Sequence, residues 1–149
     1  MRVTTKGRYA LRAVANLAAS RSDRPVSIKQ IAEEEDISPE FLEQIFFRLK
    51  KAGIIRSVRG PGGGFVLAKD PNKITIQDIF VAVGEGVKLT PCSNCAKIEK
   101  EKDTGCSRME TCLIHGVWVE VSKGVSDILT SYTLEKIIDR KLVSNRLLS

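Results

Sequence analysis

Apolar residues recur at helical spacing near the start of the chain. The first group of such residues comes after Thr4 and Lys6 and predicts a core helix. It comprises Ala10, Leu11, Val14, Leu17 and Ala18. Ser27 lies three residues before Gln30, which is the spacing of a capping box, so a second helix is expected over about 28–35. Each helix has one apolar side, and both are expected to pack on a shared core.

A third helical pattern begins directly after the second. Ser38 suits the N-cap, Pro39 suits the first helical position, and Gly53 is placed to end the helix. The apolar side of this pattern comprises Phe41, Leu42, Ile45, Phe46 and Leu49. Because only a short turn separates the two helices, the sequence predicts a helix-turn-helix.

Two strand-like segments follow the third helix. They run from Ile54 to Arg59 and from Phe65 to Leu67, and a glycine-rich turn separates them. A helix-turn-helix followed by a two-stranded wing is the winged-helix arrangement. One further helix is expected from Thr75 through Val83.

The second half of the chain contains a long helical seam over about 107–132. Its apolar positions alternate at spacings of four and three, as in helices that pack lengthwise on one another: Ile114, Trp118, Val121, Val125, Ile128 and Tyr132. The N-terminal domain offers little surface for such a seam, which favours a homodimer helix; an ordinary core helix is the alternative. Thr133 is expected to cap a last short helix.

These patterns predict a mainly α chain with a small β-wing. We expect a winged helix-turn-helix domain over 1–83, a cysteine-rich cluster-binding loop over 84–106, and a dimerisation helix with a short C-terminal helix over 107–149. The chain has 149 residues, 42% hydrophobic and 28% charged, which is typical of a folded protein. Its apolar stretches fall short of the roughly 18–20 residues of a membrane span, and its start does not resemble a signal peptide, so we expect a cytoplasmic protein without a membrane partner.

Positive charge is concentrated in the N-terminal half. Residues 1–83 contain 14 Lys and Arg against 9 Asp and Glu, a net charge of +5, whereas residues 84–149 contain 10 against 9, a net charge of +1. A basic excess of this kind favours a partner with a phosphate backbone. A basic surface without such a partner is the alternative.

The third helix is the element expected to enter the major groove of double-stranded DNA. Glutamate can accept a hydrogen bond from cytosine and glutamine can pair with adenine, so polar residues on this helix are predicted to contact DNA: Ser38, Glu40, Glu43, Gln44 and Arg48. The alternative is that they form a solvated helix face.

The wing and the helix ends supply the candidate cationic contacts. Arg59, next to Gly60 at the tip of the wing, suits insertion into a minor groove, where arginine is favoured electrostatically. The glycine run lacks the Lys-Ser/Thr of a P-loop and precedes a strand, so nucleotide binding is disfavoured. Candidates for phosphate contact are Lys6, Arg8, Lys50 and Arg56.

All four cysteines lie within 21 residues, and the single histidine follows three residues after the last of them: Cys92, Cys95, Cys106, Cys112 and His115. Clustered cysteines in a reducing compartment more often bind metal than form disulfides. Thiolates suit both zinc and iron–sulfur clusters. A structural zinc site is the main alternative, although only the Cys92–Cys95 pair has the spacing of a zinc knuckle. A catalytic thiol pair lacks its usual context, and no enzymatic activity is predicted.

Several segments together resemble the IscR-type branch of the Rrf family of winged-helix regulators. They are MRVTTKGRYA at 1–10, FLEQI at 41–45, VRGPGGGF at 58–65 and CLIHGVW at 112–118. The resemblance covers nearly the whole chain. It implies a homodimer through the long helix and a 2Fe-2S cluster held by three cysteines and a histidine.

Carried over by position, the resemblance implies that Cys92, Cys106, Cys112 and His115 are the cluster ligands. The stretch after Cys92 is longer here and contains Cys95, which is the alternative first ligand. Arg8 stands where nitric-oxide-sensing relatives have an acidic ligand, so His115 is favoured as the fourth.

The function implied is a transcriptional regulator, most simply a repressor, that senses iron–sulfur, redox or oxygen status and controls iron–sulfur assembly genes. Two alternatives stay open at this point. One is a zinc-stabilised winged-helix transcription factor without sensing, and the other is an iron–sulfur carrier that binds no DNA.

Overall fold

Six helices and one antiparallel pair of strands form the part of the chain that the structure describes. This computed structural model describes residues 3–20, 24–87, 89–90, 106–108 and 110–147. The elements in chain order are α1 (Thr5–Ala19), α2 (Ile28–Glu35), α3 (Pro39–Lys51), β1 (Ile55–Val58), β2 (Gly64–Leu67), a 3-10 turn (Pro71–Lys73), α4 (Ile76–Ala82), α5 (His115–Ser131) and α6 (Leu134–Leu147). The predicted fold class, mainly α with a small β-wing, is confirmed.

Side-chain caps set the starts of the N-terminal helices. The hydroxyls of Thr4, Ser27 and Ser38 each accept a hydrogen bond from the backbone N–H three residues ahead. The capping box expected at Ser27 is only half formed, because the Gln30 side chain donates to Glu34 instead of returning to Ser27. These caps satisfy backbone N–H groups that have no partner within the helix.

A complete capping box opens α4. The backbone N–H of Asp78 donates to the Thr75 hydroxyl at 3.1 Å, and the Asp78 carboxylate accepts from the Thr75 backbone N–H at 2.9 Å. Next to it, the backbone N–H of Ile76 donates to the carbonyl of Tyr132, and that of Leu134 donates to the carbonyl of Ile74. The start of α4 is therefore tied by main-chain bonds to the junction of α5 and α6.

The core lies between α1, α3, α4 and the wing, and α6 completes it. The side chains that are less than 2% exposed are Phe46, Ile31, Leu42, Ile45, Leu49, Ile55, Ile74, Ile79, Leu134, Val14 and Val83. Leu134 belongs to α6 and yet is fully buried among residues of the N-terminal half. Helix α6 thus contributes to the core of the winged-helix domain. The division of the chain into segments 1–83, 84–106 and 107–149 stays a prediction.

The wing is an antiparallel hairpin whose register pairs Ile55 with Leu67 and Val58 with Gly64. An isolated bridge between Val26 and Phe65 joins it to the segment before α2. A Cβ on Gly64 would collide with the backbone of Val26, so glycine permits this close approach. The hairpin is therefore packed against the segment that leads into the helix-turn-helix.

Helix α5, which carries the predicted apolar seam, starts later than the sequence pattern indicates. The seam was expected from about 107, but α5 begins at His115, after turns in which the Thr111 N–H donates to the Arg108 carbonyl. The residue before the helix, Ile114, offers no side-chain cap, and the apolar seam itself starts only there. The helix after Thr133 is in turn longer than the short one expected, because it runs from Leu134 to Leu147.

Replacing Leu134 with Ala should destabilise the whole domain. The substitution leaves a cavity in the core, and large-to-small changes at fully buried leucines cost about 2–5 kcal/mol. Val81, which is 59% exposed, is the matched control, and its change to Ala should cost less than about 0.5 kcal/mol. Chemical denaturation of both variants measures the difference, and equal losses would contradict the role assigned to α6.

Candidate nucleic-acid interface and cysteine segment

One face of α3 is buried and the other is open to solvent. Leu42, Ile45, Phe46 and Leu49 form the buried face. The residues predicted to contact DNA, Glu40, Glu43, Gln44 and Arg48, are all exposed. Ser38 is also exposed, and its hydroxyl accepts the hydrogen bond that caps the helix. Helix α3 is therefore packed on the core through one face, and its other face is accessible to a binding partner.

Phe47 was missed by the sequence reasoning. Its side chain is 71% exposed, whereas Phe46 is 1% exposed. The signal was available, because Phe47 lies outside the apolar positions at three- and four-residue spacing that define the buried face. A shallow concavity on the open face is lined by Glu43, Gln44, Phe47 and Arg48.

The tip of the wing presents Arg59 to solvent. Gly60 and Gly62 there have φ values of +107° and +72°, which favour glycine. A Cβ on Gly63 would lie 2.5 Å from the carbonyl oxygen of Val58, so this glycine is needed for the turn itself. Part of the glycine run thus shapes the turn of the wing.

The other predicted cationic contacts are spread over three elements. Arg8, Lys50 and Arg56 are exposed and Lys6 is half-buried. Among the described residues, salt bridges join Arg12 to Glu35 and Lys123 to Asp127, and neither involves a predicted DNA contact. Unpaired cations keep their full charge for an external anion.

Arg56 belongs to a second basic surface beside the wing. A concavity beside the wing has four cations in its lining, Arg24, Arg56, Lys69 and Lys73, and a single carboxylate, Asp70. The β2 residues Phe65, Val66 and Leu67 also line it. A positively charged hollow next to a hairpin is suited to a phosphate backbone.

Glu85 reaches from the end of α4 to the start of α1. Its carboxylate accepts from the backbone N–H of Gly7 at 2.9 Å and from both the backbone N–H and the hydroxyl of Thr4. A negative charge at a helix N-terminus is favoured by the helix dipole. A Cβ on Gly7 would collide with this carboxylate, so glycine makes room for it. This contact was not predicted.

Three of the predicted cluster ligands lie in the described part of the chain. Cys106 and Cys112 are exposed free thiols, and His115 is the first residue of α5. Cys112 precedes the helix, and the backbone N–H of His115 donates a hydrogen bond to the Cys112 carbonyl at 3.3 Å. Cys92 and Cys95 lie outside the described residues.

The donor set fits a thiolate-rich metal centre in its chemistry. Thiolate and imidazole are ligands of zinc and of iron–sulfur clusters. Nδ1 of His115 is buried without a hydrogen-bond partner, and leaving such an atom unsatisfied costs about 1–3 kcal/mol. Within the described ranges, no three His, Cys, Asp or Glu side chains are close enough to hold a metal ion. Cys106, Cys112 and His115 are therefore an incomplete ligand set, and a metal centre here would need at least one further ligand.

One exposed stripe of α5 is apolar. Val117, Val121 and Ile128 are 55%, 43% and 60% exposed, and Leu113 just before the helix is 99% exposed. A row of exposed aliphatic side chains along one helix is typical of an interaction surface. No helix in the described part of the chain is both long enough and apolar enough to cross a membrane.

Comparison with known proteins places this architecture in a family. The Rrf2 family, described as an iron-dependent transcriptional regulator, matches residues 3–140. The HTH-type transcriptional regulator IscR of Photorhabdus laumondii is 38% identical over 143 residues, which cover 96% of this chain and 82% of that protein. The IscR of Yersinia enterocolitica is 40% identical over 141 residues, which cover 95% of this chain and 81% of that protein.

Solved structures agree with the sequence relatives. The IscR of T. potens superposes with a TM-score of 0.70 at 32% identity, covering 95% of this chain and 88% of that one. CymR, the global cysteine regulator of B. subtilis, superposes with a TM-score of 0.71 at 30% identity, covering 94% of this chain and 98% of that one. The relatives are transcriptional regulators and not enzymes. The chain therefore belongs to the Rrf2 family and is an IscR-type, DNA-binding winged-helix regulator of transcription.

Proposed function

We propose that this protein is a repressor that binds operator DNA as a homodimer and carries a 2Fe-2S cluster, through which iron–sulfur, redox or oxygen status controls iron–sulfur assembly genes. The observation that carries the proposal is the exposed polar face of α3 together with the exposed Arg59 at the wing tip, which has no salt-bridge partner among the described residues. Because its partner is operator DNA, the proposed place of action is the cytoplasm.

In the proposed complex α3 lies in the major groove. Glu43 and Gln44 are exposed halfway along the helix, where their side chains can reach base edges, and Glu40 is one turn before them. Ser38 keeps its capping bond and can still donate its hydroxyl proton to a phosphate. Arg48 lies on the same open side of the helix.

The wing and α1 supply the backbone contacts. Arg59 inserts into the flanking minor groove, and the lack of a side chain at Gly60 lets the main chain approach the duplex closely. Lys6, Arg8, Lys50 and Arg56 contact phosphates, which fixes the orientation of the domain without reading sequence. Their lack of carboxylate partners within the described residues supports this role.

The residues proposed to hold the cluster are Cys92, Cys106, Cys112 and His115, with Cys95 as the alternative first ligand. When bound, such a cluster supplies a redox couple and a coordination sphere that depends on iron supply. His115 would contribute a neutral nitrogen ligand. Dissociation of this ligand from the cluster costs less free energy than dissociation of a thiolate, which suits a labile cluster that senses a signal. The unsatisfied Nδ1 of His115 supports its use as a ligand.

The exposed apolar side of α5 is the proposed dimer interface. A second copy of α5 would cover Val117, Val121 and Ile128, which are otherwise left in water. The two α3 helices of a dimer then read two half-sites, and the operator is expected to be approximately palindromic.

Two connections support coupling between the cysteine segment and the DNA-reading helices. Glu85, seven residues before Cys92, holds the N-terminus of α1. The main-chain bonds at Ile76 and Leu134 tie α4 to the junction of α5 and α6. A change in the cysteine segment would thus act on the helix that carries Lys6 and Arg8 and on the helix that sets half-site spacing.

Replacing Arg59 with Ala should weaken operator binding by about 1–3 kcal/mol, because the variant loses a groove contact that no other side chain provides. Lys123 on α5 is the matched control, since its ammonium group is paired with Asp127 at 2.8 Å and belongs to no proposed contact. Fluorescence anisotropy at several salt concentrations measures both variants. Unchanged affinity in the Arg59 variant would remove the wing from the interface.

Replacing His115 with Ala should alter the visible spectrum of protein purified without oxygen, because it changes one ligand of the cluster. Iron and acid-labile sulfide analysis of the unaltered protein should give about two of each per chain, as a 2Fe-2S cluster requires. About one zinc per chain without sulfide or colour would overturn cluster sensing and leave a zinc-stabilised DNA-binding protein.

A further inference from the structure

Phe47 is an aromatic side chain left in water on the DNA-reading helix. It is 71% exposed, the largest exposed fraction of any large hydrophobic side chain recorded on the described helices. Single exposed apolar residues are common on protein surfaces, so exposure alone assigns no role. The position of Phe47 on α3 does.

Phe47 shares its helix face with the proposed base-reading residues. Glu40, Glu43 and Gln44 precede it by seven, four and three residues, and positions at these separations lie on one side of a helix. The concavity lined by Glu43, Gln44, Phe47 and Arg48 places the ring beside these polar groups. The ring is therefore placed to meet the same part of a bound partner as these polar groups.

The charges on this face indicate which part of DNA it meets. Glu40 and Glu43 have no salt-bridge partner in the described part of the chain. Two free carboxylates would be repelled by phosphates, whereas a carboxylate can accept a hydrogen bond from the cytosine amino group. These carboxylates are therefore suited to base edges, and the cations Arg48 and Lys51, which are also exposed on α3, are suited to the neighbouring phosphates.

Among the base edges of the major groove, only thymine offers a methyl group, and apolar side chains read it by contact. Gln44 is suited to adenine, whose partner on the opposite strand is thymine. We propose that Phe47 is a specificity-determining residue whose ring contacts the 5-methyl group of a thymine in or next to the base pair read by Gln44. This inference rests on the proposed entry of α3 into the major groove.

Uracil differs from thymine only by the missing methyl group, which makes it the direct probe. An operator is first selected from random duplexes with the unaltered protein, and each thymine is then replaced singly by uracil. One thymine per half-site should show a loss of about fourfold in affinity, the value of one buried methyl group. Phe47→Ala should bind the thymine operator more weakly and lose all discrimination at that position.

The Arg59→Ala variant is the matched control, because it weakens binding through the wing and should keep the thymine preference. If Phe47→Ala discriminates thymine from uracil as well as the unaltered protein does, the inference is wrong, and the ring is left for a protein partner. If no thymine is discriminated while Arg59→Ala still weakens binding, the inference fails and the proposed function stands. If no sequence-selective binding is found at all, both fail.

Discussion

Burial of α1 is the constraint on which the other parts of the molecule depend. Ala10, Ala13 and Val14 are fully buried, and α1 packs against α2, α3, α4, α6 and β2. Small alanine side chains allow these neighbours to approach closely. The reading helix, the wing and the C-terminal helix are therefore all positioned relative to one helix, and a displacement of α1 would be felt by each of them.

The N-terminus of α1 is also the place where the proposed coupling to the cysteine-rich loop would act. Glu85 accepts hydrogen bonds from Thr4 and Gly7 there, and Cys92, the first cysteine of the loop predicted over 84–106, follows seven residues later. The same helix carries Lys6 and Arg8, the proposed phosphate contacts. In the proposed coupling, this one carboxylate would connect the sensing region to the DNA-facing surface.

Local signals predicted the helices of the reading domain well. Ser38, Pro39 and Gly53 marked α3, and the spacing of its apolar residues identified the face that the core buries. The start of α5 was predicted too early, because the heptad-like pattern begins at Ile114 and says nothing about the turns before it. Thr75 and Asp78 formed the capping box that their spacing indicates.

Contacts between distant parts of the chain could not be predicted in this way. The Glu85 carboxylate and the N–H of Gly7 are 78 residues apart in sequence, and no periodic pattern relates them. Leu134 is apolar in a short amphipathic stretch, and only the fold shows that it completes the core of the N-terminal half. The cluster ligands came from cysteine spacing and family resemblance, and their assignment is a proposal.

The central claim is that the cysteine segment and the DNA-reading helices are energetically coupled. The most direct test compares operator affinity of cluster-loaded and cluster-free protein under anaerobic conditions, in the unaltered chain and in Glu85→Gln. We predict that loading changes the affinity of the unaltered protein by at least about fivefold, the lower range of allosteric coupling, and that Glu85→Gln retains iron but shows a smaller change. Equal affinities of the loaded and cluster-free unaltered protein would contradict the account.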